Sequence, residues 1–190
     1  MSIEAKTIVN EITSDYEAFL RVKNHLLSQK DKSIDSLRQG CSYKGYLERD
    51  VERVTYDVCN NLAAEIGEEY YELDGCEELE LITEKLKNLV QAGEIVYGQC
   101  AVGCLIKDNF YSSEELEEKA VKDDSVLTAL KKSNPTWKID YLSLNLLENL
   151  QRLHDSMNIV DWRKYLDKIE SLFKGNSKIE SDFDLLNGEW

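Results

Sequence analysis

The run Gly98-Gln-Cys-Ala-Val-Gly-Cys-Leu-Ile-Lys-Asp-Asn-Phe-Tyr111 is the least polar stretch of an acidic chain and holds two of its five cysteines, Cys100 and Cys104. Gly98 and Gly103 permit close backbone approach, and residues 100–106 read as a short buried helix. Residues 94–97, Glu-Ile-Val-Tyr, read as a strand, since β-branched and aromatic side chains suit a pleated surface. Upstream, Gly40 and Gly45 bracket Cys41-Ser-Tyr43, a second brief strand. Pairing of residues 41–44 with 95–98 gives at most a two-stranded ribbon. The remaining patterns are helical, so the expected class is mainly α.

Those patterns divide into a hairpin before the run and a set of helices around it. Leu47, Val51, Val54, Val58, Leu62 and Ile66 recur every three or four residues, one apolar stripe on a helix over 46–66. Gly67 is its C-cap. An acidic connector with Tyr70 and Tyr71 leads to a second helix, about 77–91, carrying Leu79, Ile82, Leu86, Leu89 and Val90. Two amphipathic helices on a short connector predict an antiparallel hairpin. Elsewhere, Ser14-Asp15-Tyr16-Glu17 is a capping-box pattern opening a helix to about Gln29, and residues 30–40 read as a polar loop. Ser112-Ser113-Glu114-Glu115 opens a small acidic helix ending near Val121. Val126, Leu127 and Leu130 mark another, stopped by Asn134-Pro135. Asp140 caps a helix over 141–156 with the densest apolar face (Leu142, Leu146, Leu147, Leu150, Leu153). Asp161 caps a last one carrying Trp162, Tyr165, Leu166, Ile169, Leu172 and Phe173, closed by Gly175. Residues 3–13 read as a short helix or ordered arm.

The chain has 190 residues, 42% hydrophobic and 32% charged, with one proline. That length suits one domain with a real core, here 1–175 with 46–95 inserted, followed by an acidic tail, 176–190, that docks or frays. No apolar run approaches the ~20 residues of a membrane span, and the N-terminus lacks a signal-peptide pattern. A cytoplasmic protein with reduced thiols is expected. The net charge of −14 disfavours phosphate backbones and anionic membranes unless a local basic patch intervenes. It favours basic protein surfaces, or simply solubility.

Several pieces fall into one order. Phe19, Val22, His25-Leu26, Gln29 and Lys32-Ser33 precede Cys41-x-Tyr43. Cys100-Ala101-Val-Gly103-x-Leu105-Ile106-x-Asp108-x-x-Tyr111 and Val121 come next. Leu147-x-x-Leu150-Gln151-x-x-His154-Asp155, Trp162, Leu166 and Ile169 close the set. The pattern resembles a family of small proteins found mainly in phages and prophages, over more than half of the chain. The resemblance implies ancestry and scaffold and carries no assigned chemistry. In compact relatives a short turn joins the Cys-x-Tyr and Cys-Ala-x-Gly segments; here residues 46–95 intervene. They hold 14 acids against four bases, and no Lys or Arg occurs from Thr55 to Glu84.

That insert supplies the candidate partner-binding residues: Glu65, Glu68, Glu69, Tyr70, Tyr71, Glu72, Asp74, Glu77 and Glu78. The acids would imitate a phosphate array, and the tyrosines would anchor an interface; the bland alternative is a solvated face. A calcium loop is not claimed, because residues 72–78 lack the spaced aspartates that one needs. Cys41, Cys100, Cys104 and His154 form an alternative set. They would serve as zinc ligands, or as a Cys nucleophile with a His154-Asp155 base. The cysteine spacing is not a zinc knuckle and His154 lies on an apolar face, so packing outweighs both readings. No catalytic residue is assigned and no cofactor is expected. The expected protein is a non-enzymatic, phage-type binder that inhibits or modulates a host or defence protein with a basic surface, by nucleic-acid mimicry. It makes no direct contact with nucleic acid or membrane, and self-association is compatible with the sequence.

Overall fold

Asp140 starts the helix on which the larger of two apolar clusters is built. Its Oδ1 accepts from Leu142 N at 2.9 Å and Ser143 N at 3.0 Å, while Ser143 Oγ accepts from Asp140 N at 3.2 Å. A reciprocal cap of this kind fixes a helix start. The helix, Tyr141–Ser156, buries Leu146, Leu147, Leu150 and Leu153 to 1% exposure or less, each contributing about 1.5–3 kcal/mol.

The computed structural model describes residues 11–34, 42–66, 75–117 and 119–174. In chain order they form α1 (Asp15–Ser28), β1 (Ser33–Ile34), β2 (Tyr46–Leu47), α2 (Glu48–Ile66), α3 (Gly75–Gln91), two 3₁₀ turns (Gly103–Leu105 and Asp108–Phe110), α4 (Ser113–Leu116), α5 (Asp124–Ser133), α6 (Tyr141–Ser156) and α7 (Ile159–Lys174). The class is mainly helical with a two-stranded antiparallel sheet, as expected. Among the described residues no helix is long and apolar enough to cross a membrane.

The larger cluster is the body. It joins Phe19, Val22 and Leu26 of α1 to Tyr43, the 100–106 segment, α4, α5, α6 and α7. Cys100, Ala101 and Val102 are fully buried, and Leu105 and Ile106 nearly so. Residues 100–106 are therefore the buried centre, although their helix is only a single 3₁₀ turn. Lys23 binds α1 to α7, donating to Asp167 and Glu170, each at 2.5 Å.

The smaller cluster is the arm. Val51, Val54 and Val58 of α2 meet Ile82 and Leu86 of α3, and Ile34, Tyr46 and Ile95 close its base. The hairpin forms as the apolar stripes predict, with a core separate from that of the body.

Several expectations are corrected. The ribbon pairs Ser33 with Leu47 and Ile34 with Tyr46, not 41–44 with 95–98. Two causes are visible. Ile34 and Tyr46 are needed in the arm core, and the amides of Tyr43 and Lys44 are taken by the Glu117 carboxylate at 3.1 and 3.2 Å. The nearest contact to the expected pairing falls one residue beyond it, Gly98 N donating to Gly45 O at 2.7 Å. Residues 94–97 form no strand, and β1 lies in what reads as a loop. Of the Ser14 capping box only half forms: Ser14 Oγ accepts from Glu17 N at 3.3 Å, but the Glu17 carboxylate turns to Thr13 N at 2.7 Å. Ser112 caps α4 without a side-chain bond, and α4 stops at Leu116 because Glu117 turns to extended backbone. Asp161 lies within the first turn of α7 rather than capping it. Cys41, Gly67, Gly175 and residues 1–10 and 176–190 lie outside the described residues.

Candidate functional site

Of the nine candidate contact residues, Glu65 is exposed near the end of α2. Glu78 is half-buried, with Oε1 accepting from Cys59 Sγ at 2.7 Å, so it braces the arm's own helices. Glu77 belongs to α3, with its side chain outside the description. Glu68, Glu69, Tyr70, Tyr71, Glu72 and Asp74 lie outside the described residues.

The described part of the arm adds residues that sequence reasoning missed. Tyr56 is 71% exposed on α2, and Leu81 is 43% exposed on α3. Leu79, assigned to the apolar stripe, is 37% exposed. A groove of about 290 Å³ runs between the helices, lined by Val58, Leu62 and Leu81 and rimmed by Asn61, Glu84, Lys85 and Asn88. Glu52, Asp57, Glu80 and Glu84 are all exposed on these two helices. The available signal was Leu81 itself, an apolar residue that falls between the stripe positions of Leu79 and Ile82. Periodicity alone gave it no role.

The cysteine–histidine set is placed differently. Cys100 and Cys104 are buried, Cys100 Sγ accepts from Gly103 N at 3.3 Å, and Cys104 Sγ donates to Ala101 O at 3.1 Å. Burial pushes the Cys104 thiol far up, away from the thiolate that a nucleophile or metal ligand needs. His154 is buried; Nδ1 lies 3.0 Å from Asp155 Oδ1, and its ring stacks on Trp162 at 5.4 Å. Gln151 donates to the same Asp155 oxygen at 2.8 Å and accepts from Val102 N at 3.4 Å. The Leu-Gln-x-x-His-Asp helix thus clasps the 100–106 segment. Tyr43, Cys100, Gln151 and Asp155 line one shallow pocket of about 370 Å³ with Val121. Among the described residues no group of three His, Cys, Asp or Glu side chains is placed to hold a metal ion; Cys41 lies outside them.

Sequence reasoning also missed Glu117, which ties this region together. Its carboxylate accepts from Ser42 Oγ at 2.6 Å, Tyr43 N at 3.1 Å, Lys44 N at 3.2 Å and Tyr111 Oη at 2.5 Å. Burial, then the bond to Glu117, pushes the Tyr111 phenol well above its ordinary value. Nothing in the local sequence marks one glutamate of an acidic stretch for this role.

Comparison of the chain with family models, with curated proteins and with solved structures finds no match.

Proposed function

We propose that the protein works by binding another protein through the α2–α3 arm, and that it inhibits or modulates a phage host's protein or defence component bearing a basic surface. The observation that carries this reading is the arm itself, a two-helix projection with a separate core. It exposes Tyr56 and Leu81 and an apolar groove rimmed by Glu84, Lys85 and two asparagines, with Glu52, Asp57 and Glu80 exposed on the same helices. Exposed aromatic and aliphatic anchors surrounded by charge are what a protein interface uses. The excess of acid steers a basic partner and lets the arm occupy a groove built for phosphates. Phage origin rests on the sequence resemblance alone. A cysteine–histidine centre is the less supported reading, because Cys104 is buried with its thiol pushed up and His154 is committed to Asp155 and Trp162.

The test compares the wild-type chain with a Glu65→Lys, Glu80→Lys, Glu84→Lys variant in capture from bacterial lysate, followed by binding to each purified captured protein. These three side chains are exposed; Glu78 is spared because it braces Cys59. The wild type should retain a basic protein that the variant loses, with binding weakened by salt. Equal retention by both chains refutes the reading.

A further inference from the structure

Where the arm leaves the body there is a cleft of about 540 Å³. The end of α1 gives one wall with His25 and Gln29, followed by Lys30 and Asp31. Lys44, Leu47 and Arg49 give the second, and residues 96–99 give the third. It shares no lining residue with the α2–α3 groove.

Its charge is opposite to that of the chain. Lys30, Lys44 and Arg49 face Asp31 and Asp108, a net of about +1, within a chain of −14; burial pushes the His25 imidazole toward its neutral form. The two acids are already engaged, Asp108 with Lys44 and Asp31 with Arg49 at 3.4 Å, and Asp50, outside the lining, also approaches Arg49 Nε at 3.8 Å, which leaves the outer guanidinium donors to a ligand. Among the described residues no carboxylate pairs with Lys30, and the Arg49 side chain is 56% exposed. An exposed guanidinium fork beside an uncommitted ammonium suits a phosphate.

The third wall presents apolar side chains at Val96 and Tyr97. Val96 is 64% exposed and Tyr97 48%, and the Tyr97 ring is braced by Tyr46 at a centroid distance of 5.4 Å. A braced, half-exposed ring is a stacking platform for a flat heterocycle. Between the two, Gln99 O lies 2.8 Å from His25 Nε2 and 2.6 Å from Gln29 Nε2, while Gln29 Oε1 is enclosed without a hydrogen-bond partner. The volume is that of a small-ligand site and far larger than a single anion needs.

We propose that this cleft binds a mononucleotide-class ligand, its base on Tyr97 and its phosphate on Lys30 and Arg49. This answers the exclusion of phosphate drawn from net charge: the repulsion belongs to the arm, and this cleft is the local basic patch. It does not depend on the arm's partner.

The test is calorimetric titration of the full chain at low salt with AMP, GMP, CMP and UMP, and with adenosine, ribose 5-phosphate and inorganic phosphate as part-ligands. At least one nucleotide should bind with a Kd below about 1 mM, and each part-ligand at least about tenfold more weakly. Arg49→Ala, Lys30→Ala and Tyr97→Ala should each weaken it about tenfold, with thermal melts confirming that each variant folds. Lys138→Ala, an exposed cation away from the cleft, should change nothing. No saturation by any nucleotide, indifference to all three cleft substitutions, or inorganic phosphate binding as tightly as a nucleotide would each overturn the proposal.

Discussion

Gly103→Ala puts the buried centre of the body to a direct test. A Cβ built on Gly103 would stand 2.0 Å from the carbonyl oxygen of Tyr43, 2.8 Å from its carbonyl carbon and 3.1 Å from its Cα. Contacts under 3.0 Å are essentially never seen for real Cβ atoms, so the two backbones must part by about 1 Å. Neither can yield cheaply. Tyr43 is held through its amide by Glu117 and through its hydroxyl by Lys119 O at 3.0 Å, and the residues preceding Gly103 are fully buried. Overpacking a closed core costs about 1–3 kcal/mol, and a backbone-to-backbone clash belongs at the upper end, about 3 kcal/mol. For a chain of this length that lowers Tm by roughly 6–12 °C. Gly93→Ala is the comparison. Gly93 has φ +73° and nothing within 4 Å of its Cβ position, so only left-handed backbone strain is added, about 1 kcal/mol. Urea titration followed by the fluorescence of buried Trp137 and Trp162 measures both. A Gly103→Ala cost under about 1 kcal/mol, or a Gly93→Ala cost that exceeds it, would refute the claim that close approach rather than φ makes Gly103 indispensable.

The remaining predictions concern charge. Glu117→Gln keeps one acceptor oxygen but loses the charge and two of the bonds to Ser42, Tyr43, Lys44 or Tyr111; it should cost about 2–3 kcal/mol by the same titration, and stability equal to wild type would show that the carboxylate is not needed. Glu170 has its pKa lowered from 4.5 to about 2, chiefly by the bond to Lys174 and then by that to Lys23. A depressed carboxyl stabilises fully above its unfolded value and loses that contribution as pH falls, here from about 4.5 toward about 2. The stability gap between wild type and Glu170→Gln should therefore shrink over that interval in acid titrations, and a gap constant from pH 5 to 2.5 contradicts it.

Legibility followed the physics of each signal. Long apolar stripes were readable: α2, α3 and α6 fall almost where periodicity puts them, since Val51, Val54 and Val58 or Leu146, Leu150 and Leu153 must share a face at helical spacing. The buried state of residues 100–106 was readable from composition. The strands were not, because β1 and β2 are two residues each, too short for alternation to register. Their pairing depends on where Ile34 and Tyr46 find a core, a tertiary choice. The cleft was not readable either, since Lys30, Arg49 and Tyr97 are far apart in sequence and meet only when the arm is seated. Among the proposed contacts, Glu78 shows why counting acids misleads: its carboxylate serves Cys59 across the hairpin.

The seam between arm and body redraws the inserted unit. Read as sequence, it runs from 46 to 95. Its two helices have only 19 and 17 residues, and fewer than about 40 residues rarely hold a core unaided. The arm resolves this by recruiting Ile34 from before the insert and Ile95 from its last residue into one cluster. Backbone closure at the seam is equally tight: a Cβ on Gly45 would sit 2.3 Å from Ile34 O, and one on Gly98 2.8 Å from Leu47 Cδ2. The arm is therefore anchored on both sides of its own boundaries, by β1 before it and by Gly98 after it. Gly98 leads directly into the buried Cys100–Ala101–Val102 run, so the segment that closes the arm's base is the same chain that enters the core of the body. A ligand in the adjoining cleft would touch α1, the start of α2 and residues 96–99 together, the three elements whose relative placement sets how the arm projects.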